Sequence, residues 1–210
     1  MKALAINGSH RKRKNTAKML NMVLEPIRSA GIETELIELT DYDIKLCRAC
    51  NKCLIRPECS IKDDDMGLIA EKMLNSDAII IGSPVYFSNV TSKSKIFMDR
   101  TRWMHMCENL LEGKLGAVVT HAGLRNGGQE LTKLILENFL IQHGLYIVEA
   151  RSPKKGIYNL GAMGTMFDDL EGEKIKWKKG VEQDAITVKM CHDLGVNIAN
   201  KLKKIKKLGE

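Results

Sequence analysis

The chain has 210 residues, 44% of them hydrophobic and 28% charged, with a formal net charge of +7. That length suits one domain, 1–210, with a proper core, and no apolar run is long enough to span a membrane. Aromatics are only 5% of residues and the basic side chains are spread along the chain, so no zinc-finger or RRM-like footprint marks a nucleic-acid binder.

Residues 2–7 (KALAIN) read as a buried strand stopped by Gly8-Ser9. A helix is expected over 16–31, with Leu20, Val23, Leu24 and Ile27 at helical spacing, Pro26 as a kink and Gly31 as a stop. Residues 33–39 form a second strand, and the segment 41–62 that follows has neither period. Acidic residues open a helix over 63–76. The β-branched run 77–84 suits a strand covered on both faces. A helix over 91–104, a strand over 114–123, a helix over 128–144 and a fifth strand over 145–150 complete the alternation. Residues 151–181 form a long excursion without clear period, a candidate subunit arm or site cover, and a last helix spans about 182–207. Strands alternating with helices predict an α/β fold: a doubly wound, five-stranded parallel sheet of flavodoxin-like order 2-1-3-4-5. In such sheets ligands bind beyond the carboxyl ends of the strands, at the switch point. The short N-terminal apolar stretch does not suit a signal peptide, which makes the cytoplasm, where thiols stay reduced, the expected location.

Three loops leave that edge. The first, GSHRKRKNTAK (8–18), runs into a helix N-terminus, where free N–H groups and the dipole favour a phosphate, and Arg11, Lys12, Arg13 and Lys14 add positive charge. It matches neither the Walker A nor the dinucleotide fingerprint, and an exposed basic loop is the bland alternative. The second (82–100) carries Pro84, Tyr86 and Phe87 at a strand exit, two aromatics that suit either a planar ring or an interface. In the third (120–130), Gly123, Gly127 and Gly128 permit close backbone approach or a plain turn, and His121 reads as structural. A phosphate, a flat ring and backbone contacts are together the parts of FMN.

Four of the six cysteines fall in CRACNKCLIRPEC, at spacing C-x2-C-x2-C-x5-C. Three thiolates at two-residue spacing and a fourth nearby suit one low-potential [4Fe–4S] cluster. Structural zinc, which usually pairs two separated knuckles, is the rival. Arg48, Lys52 and Arg56 interleave with the thiols, either tuning the site, steering an acidic partner, or forming a solvated rim. Cys107 and Cys191 are expected in helices as buried apolar residues.

The three loops together with the cysteine run resemble the iron–sulfur flavoproteins of the NADPH-dependent FMN reductase group, over roughly residues 1–150. The resemblance implies that Ser9, Arg11, Asn15 and Thr16 hold the FMN phosphate. It implies that Pro84, Val85, Tyr86, Phe87 and Ser88 border the isoalloxazine, with Thr120, Gly123, Gly127 and Gly128 of the third loop also binding FMN. Cys47, Cys50, Cys53 and Cys59 would ligate the cluster. It further implies a homodimer or homotetramer and reduction of dioxygen, hydrogen peroxide or a quinone through cluster and FMN, and the net charge of +7 makes a small acidic ferredoxin or similar carrier the expected electron donor. An NAD(P)H-dependent FMN or quinone reductase and a zinc-bearing regulatory module are the alternatives. Two departures stand out: His10 replaces a common Pro, and Lys14 replaces a common Gly, where a positive φ would be costly.

Overall fold

The computed structural model describes residues 1–152 and 161–209. Its strands are β1 (Lys2–Asn7), β2 (Glu33–Glu38), β3 (Ala78–Pro84), β4 (Leu115–Ala122), β5 (Tyr146–Ile147), β6 (Ala162–Thr165), β7 (Phe167–Glu171) and β8 (Lys174–Trp177). The helices are α1 (Asn15–Ser29), α2 (Met66–Leu74), α3 (Ser92–Arg100), α4 (Gln129–Gln142) and α5 (Ala185–Gly209). The main sheet is parallel in the order β2-β1-β3-β4-β5, the flavodoxin-like order expected.

Alternate residues along β1 explain the layers. Ala3 and Ala5 join one core with Leu20, Val23 and Leu194, under α1 and α5. Leu4 and Ile6 join the other with Ile69, Phe97 and Leu136, under α2, α3 and α4. β3 is buried along its whole length, as a central strand covered on both faces must be. α1 continues through Pro26 to Ser29, so the proline does not end it.

The excursion differs from its expected lack of pattern. Part of it, 153–160, lies outside the described residues, but β6 within it pairs in parallel with β4, from Val119↔Ala162 to Ala122↔Thr165. β5 pairs with β4 only at Leu115 and Gly116, so the last position of the sheet is shared by two short strands. β7 and β8 form an antiparallel hairpin turning at Gly172. No periodic signal marked these strands, because β6 is a short Ala-Met-Gly-Thr stretch and the hairpin is largely exposed. Among the described residues, no helix is long and apolar enough to cross a membrane.

Candidate functional site

The carboxyl ends of β1, β3 and β4 bring the three loops together. Gly8 donates its N–H to the Gly82 carbonyl (2.8 Å), and any Cβ on Gly8 would lie 1.8 Å from Ser94 Oγ, so the first loop packs directly on α3. Asn7 and Glu38 brace it: Asn7 Nδ2 donates to Glu38 Oε2 (2.6 Å), and Glu38 Oε1 accepts the Arg13 N–H (3.0 Å). The positive φ of the loop falls at Arg13 (55°), while Lys14 is extended at −96°. The strain expected at Lys14 is therefore one residue earlier.

α1 opens at this loop with no side chain capping it and no acidic residue in its first turn. Its first N–H groups are unpaired donors, set at the positive end of the dipole. The side chains expected to assist differ in their freedom. Ser9 is buried and its Oγ accepts the Arg11 N–H (3.1 Å), leaving its own proton to donate. The Arg11 side chain is exposed. Asn15 turns away: its amide donates to Met166 Sδ (2.9 Å) and accepts from the Val181 N–H (3.3 Å), tying α1 to the excursion. Thr16 is buried, with Oγ1 3.0 Å from His121 Nε2. Burial pushes the His121 imidazole down to about 4, with Arg11 adding to the shift, and its Nδ1 has no partner. A neutral ring donating from Nε2 leaves only an acceptor unpaired, and it leaves the Thr16 proton available to another acceptor.

The second loop is a tight turn. Tyr86 and Asn89 exchange backbone hydrogen bonds (2.9 and 3.0 Å) around Phe87 and Ser88, whose φ values are 50° and 56°. Two consecutive left-handed residues define a type I′ turn, unusual without glycine or asparagine at its centre. It holds Phe87 fully exposed at the tip. Pro84 is buried and Val85 partly so; Val85 donates its N–H to the His121 carbonyl (2.8 Å), which joins the second and third loops. His10 packs edge-on against Tyr86 (5.8 Å between centroids), so this departure from the common proline links the first loop to the second.

The third loop is held by a residue the sequence did not single out. Gln129 is buried; its Oε1 accepts the Gly127 N–H (2.8 Å) and its Nε2 donates to Leu124 O (2.8 Å) and Gly164 O (3.3 Å). Thr120 donates to the Gln129 carbonyl (3.2 Å). Gly123 faces Trp177 of the hairpin at ordinary contact distance. Gly128 has φ +96°, and a Cβ there would lie 2.7 Å from Ser88 Cα. The second and third loops thus meet backbone to side chain at Gly128.

The cysteine loop lies elsewhere on the molecule. Cys47, Cys50, Cys53 and Cys59 line one small cavity with Arg100, Arg102 and Trp103. The two ends of the loop are fastened together: Asp65 Oδ2 accepts the Asp43 N–H (2.8 Å) and Asp64 Oδ2 the Lys45 N–H (2.9 Å). Ala49 and Asn51 adopt left-handed φ values of 50° and 58° between the thiols. Cys50 Sγ lies 3.1 Å from Ser60 Oγ; that hydroxyl, then the Lys52 N–H, lowers the thiol's pKa. The cavity sits at the C-terminal end of α3, whereas the Tyr86–Asn89 turn sits at its N-terminal end. At 1.5 Å per residue, the nine residues of α3 separate them by roughly 13 Å.

Of the two other cysteines, Cys191 is buried in α5 as expected, and burial raises its thiol pKa to about 12. Cys107 corrects the expectation. It is exposed, lies outside any helix, and donates to the Cys53 carbonyl (3.1 Å). α3 ends at Arg100, and the chain after the short 3-10 turn Arg102–Met104 folds back onto the cysteine loop instead of continuing the helix.

Over residues 1–153 the chain matches the NADPH-dependent FMN reductase family. An iron–sulfur flavoprotein of Methanocaldococcus jannaschii is 35% identical over 207 residues, 99% of this chain and 100% of the relative. The chain belongs to the iron–sulfur flavoproteins of this family. Another iron–sulfur flavoprotein, from Archaeoglobus fulgidus, is 46% identical over 136 residues, 65% of this chain and 66% of the relative. A solved flavodoxin from the domain Archaea superposes with a TM-score of 0.55 at 18% identity, over 97% of this chain and 99% of its own. The resemblance read from the loops and the cysteine run therefore stands, as does the flavodoxin-like fold. The family is one of FMN-dependent oxidoreductases, and its match ends just before β6, β7, β8 and α5.

Proposed function

We propose that this iron–sulfur flavoprotein relays electrons between a [4Fe–4S] cluster and FMN in the reducing cytoplasm. It would draw them from a ferredoxin or similar small carrier and pass them to a small oxidant such as dioxygen, hydrogen peroxide or a quinone. The observation that carries this reading is one cavity bordered by four thiols on a fold whose three loops meet around an uncapped helix N-terminus. Four thiols border one cavity, three of them at two-residue spacing, a donor set that suits Cys47, Cys50, Cys53 and Cys59 as ligands of a four-iron cluster better than a zinc site, which usually pairs two separated knuckles. When bound, FMN supplies one- and two-electron chemistry and the cluster a one-electron step.

The residues would hold the flavin as follows. The first N–H groups of α1, Ser9 and the Thr16 hydroxyl bind the phosphate, with Arg11 as a solvent-side cation; Asn15 positions α1 instead of touching the anion. The Pro84–Ser88 turn and the backbone at Gly123, Gly127 and Gly128 border the ring. The exposed Phe87, Leu124 and Trp177 beside this site would meet a second copy in a homodimer or homotetramer.

Anaerobic purification tests the reading. Iron and acid-labile sulfide in equal amounts are expected, with FMN as the released flavin and a scattering mass above 23.6 kDa. Stoichiometric zinc, or FAD alone, would overturn it, and rapid bleaching by NADPH would favour a nicotinamide-dependent reductase. Gly128→Ala should weaken FMN binding by about tenfold or more, because φ +96° and the Ser88 backbone both oppose a Cβ. Flavin titration of the folded variant checks this; an unchanged Kd means the two loops do not close on the ring.

A further inference from the structure

Arg100 ends α3 and is 1% exposed, an environment in which arginine is rare unless paired. Its partner is Asp64. Nη1 donates to Asp64 Oδ2 and to the Lys45 carbonyl (2.7 Å); Nη2 donates to Asp64 Oδ1 (3.1 Å). Asp64 also accepts the Lys45 N–H (2.9 Å) and the Met66 N–H (3.2 Å). Burial raises the Asp64 pKa, but Arg100 and then these two N–H groups outweigh it and hold the carboxylate ionised. The pair is therefore charged, buried and neutral overall. Such a pair adds little stability over apolar residues of the same size. What it fixes is direction: the planar fork cannot rotate, and Nη2 lies 3.7 Å from Cys59 Sγ.

We infer that Arg100 is a positioning residue for the redox centre, donating a hydrogen bond to the Cys59 thiolate and thereby raising the cluster's reduction potential. The inference rests on the cluster reading above. Hydrogen bonds to cluster sulfurs stabilise the more negative, reduced state, and partners beyond the ligands tune such centres. The neighbouring cations are poorer candidates. Arg48, Lys52 and Arg56 are exposed and screened by solvent, and the Arg102 guanidinium is turned to Asn51 Oδ1 (2.9 Å). Because Asp64 cancels the charge of Arg100, the effect comes from the local N–H and not from net charge. Lysine should not replace it, since an ammonium cannot make the bidentate contact and the sulfur contact from one plane.

The test uses the anaerobically purified holoprotein. Arg100→Lys, and the neutral double variant Arg100→Gln with Asp64→Asn, should each lower the cluster midpoint potential. A tenfold shift in its reduction equilibrium, about 59 mV for one electron, is expected, with the FMN potential unmoved. A fully loaded cluster at the parent potential in both variants overturns the inference. Should neither variant hold a cluster, a protein that keeps Arg100 and Asp64 decides. Labelled with nitrogen-15 arginine, and with Arg48→Lys, Arg56→Lys and Arg102→Lys introduced, its reduced cluster should show a nitrogen coupling in pulsed EPR; absence of that coupling overturns the inference. A parent protein lacking iron and sulfide overturns the cluster reading itself, and this role with it.

Discussion

Replacing Cys50 with alanine should abolish the iron–sulfur EPR signal while FMN stays bound at the parent stoichiometry. Cys50 is one of the four thiols bordering the cavity, and no other cysteine lines that cavity to take its place. Cys107 is near, but its sulfur is directed at the Cys53 carbonyl. The side chain is exposed, so truncation leaves no core cavity and global stability should change by about 0.5 kcal/mol or less. The flavin loops are braced by separate contacts, from Glu38, His121 and Gln129, at the other end of α3. Carrier-linked reduction of FMN should slow by about 100-fold or more, given that even outer-shell partners cost 10–100-fold in metal affinity or activity. Chemical reduction by dithionite should persist. Stopped-flow kinetics reads both, and a carrier-linked rate equal to the parent's would remove the cluster from the electron path.

Acid should destabilise the fold well before its carboxylates protonate. His121 and His143 are both buried, with pKa values lowered to about 4, first by burial and then by Arg11 and His105 respectively. In the unfolded chain they titrate near 6.5. Between those values the unfolded state binds more protons, so stability falls as pH falls. The contribution is fully present above pH 6.5 and is lost as pH drops towards 4. Going from pH 7.5 to 5 should remove about 2 kcal/mol per histidine. Urea unfolding of the flavin-free protein measures this. His143 hydrogen-bonds Thr101 (3.0 Å) at the end of α4, far from the flavin loops, so His143→Gln should roughly halve the pH dependence without touching the site. An equal urea midpoint at both pH values would show that the rings are protonated in the fold.

Much of this was legible because periodicity and spacing are local. The strand order followed from the alternation of apolar runs, and Ile79, Ile80 and Ile81 marked a central strand. The spacing of the cysteine run pointed to a four-iron cluster with structural zinc as the rival, and the iron–sulfur flavoprotein relatives then favoured the cluster. What escaped depends on partners distant in sequence. Asn15, which the resemblance places at the phosphate, has its side-chain amide engaged by Met166 and Val181, partners that no local pattern announces. Cys107 was expected in a helix and buried; the helix ends at Arg100, and the fold-back onto Cys53 leaves the thiol exposed. Gln129 and Arg100 were not singled out, since nothing local says that a polar side chain will be buried against Gly164 or Cys59. His121, read as structural, is buried with Nε2 3.0 Å from Thr16 Oγ1, a contact between two loops that no local pattern announces.

The pairing of β4 with β6 imposes an order on synthesis. A chain leaving the ribosome acquires the first two loops and then β4 with its Gln129 clamp, but the Gly164 carbonyl that completes the clamp comes only with β6. Asn15, at the start of α1, likewise waits for Met166 and Val181. At 5–20 residues per second, roughly, for N-terminal-first growth, the nascent flavin edge spends seconds with its outer strand missing. A chain truncated before β6 would carry every residue of the three loops and still lack the Gly164 carbonyl that completes the Gln129 clamp.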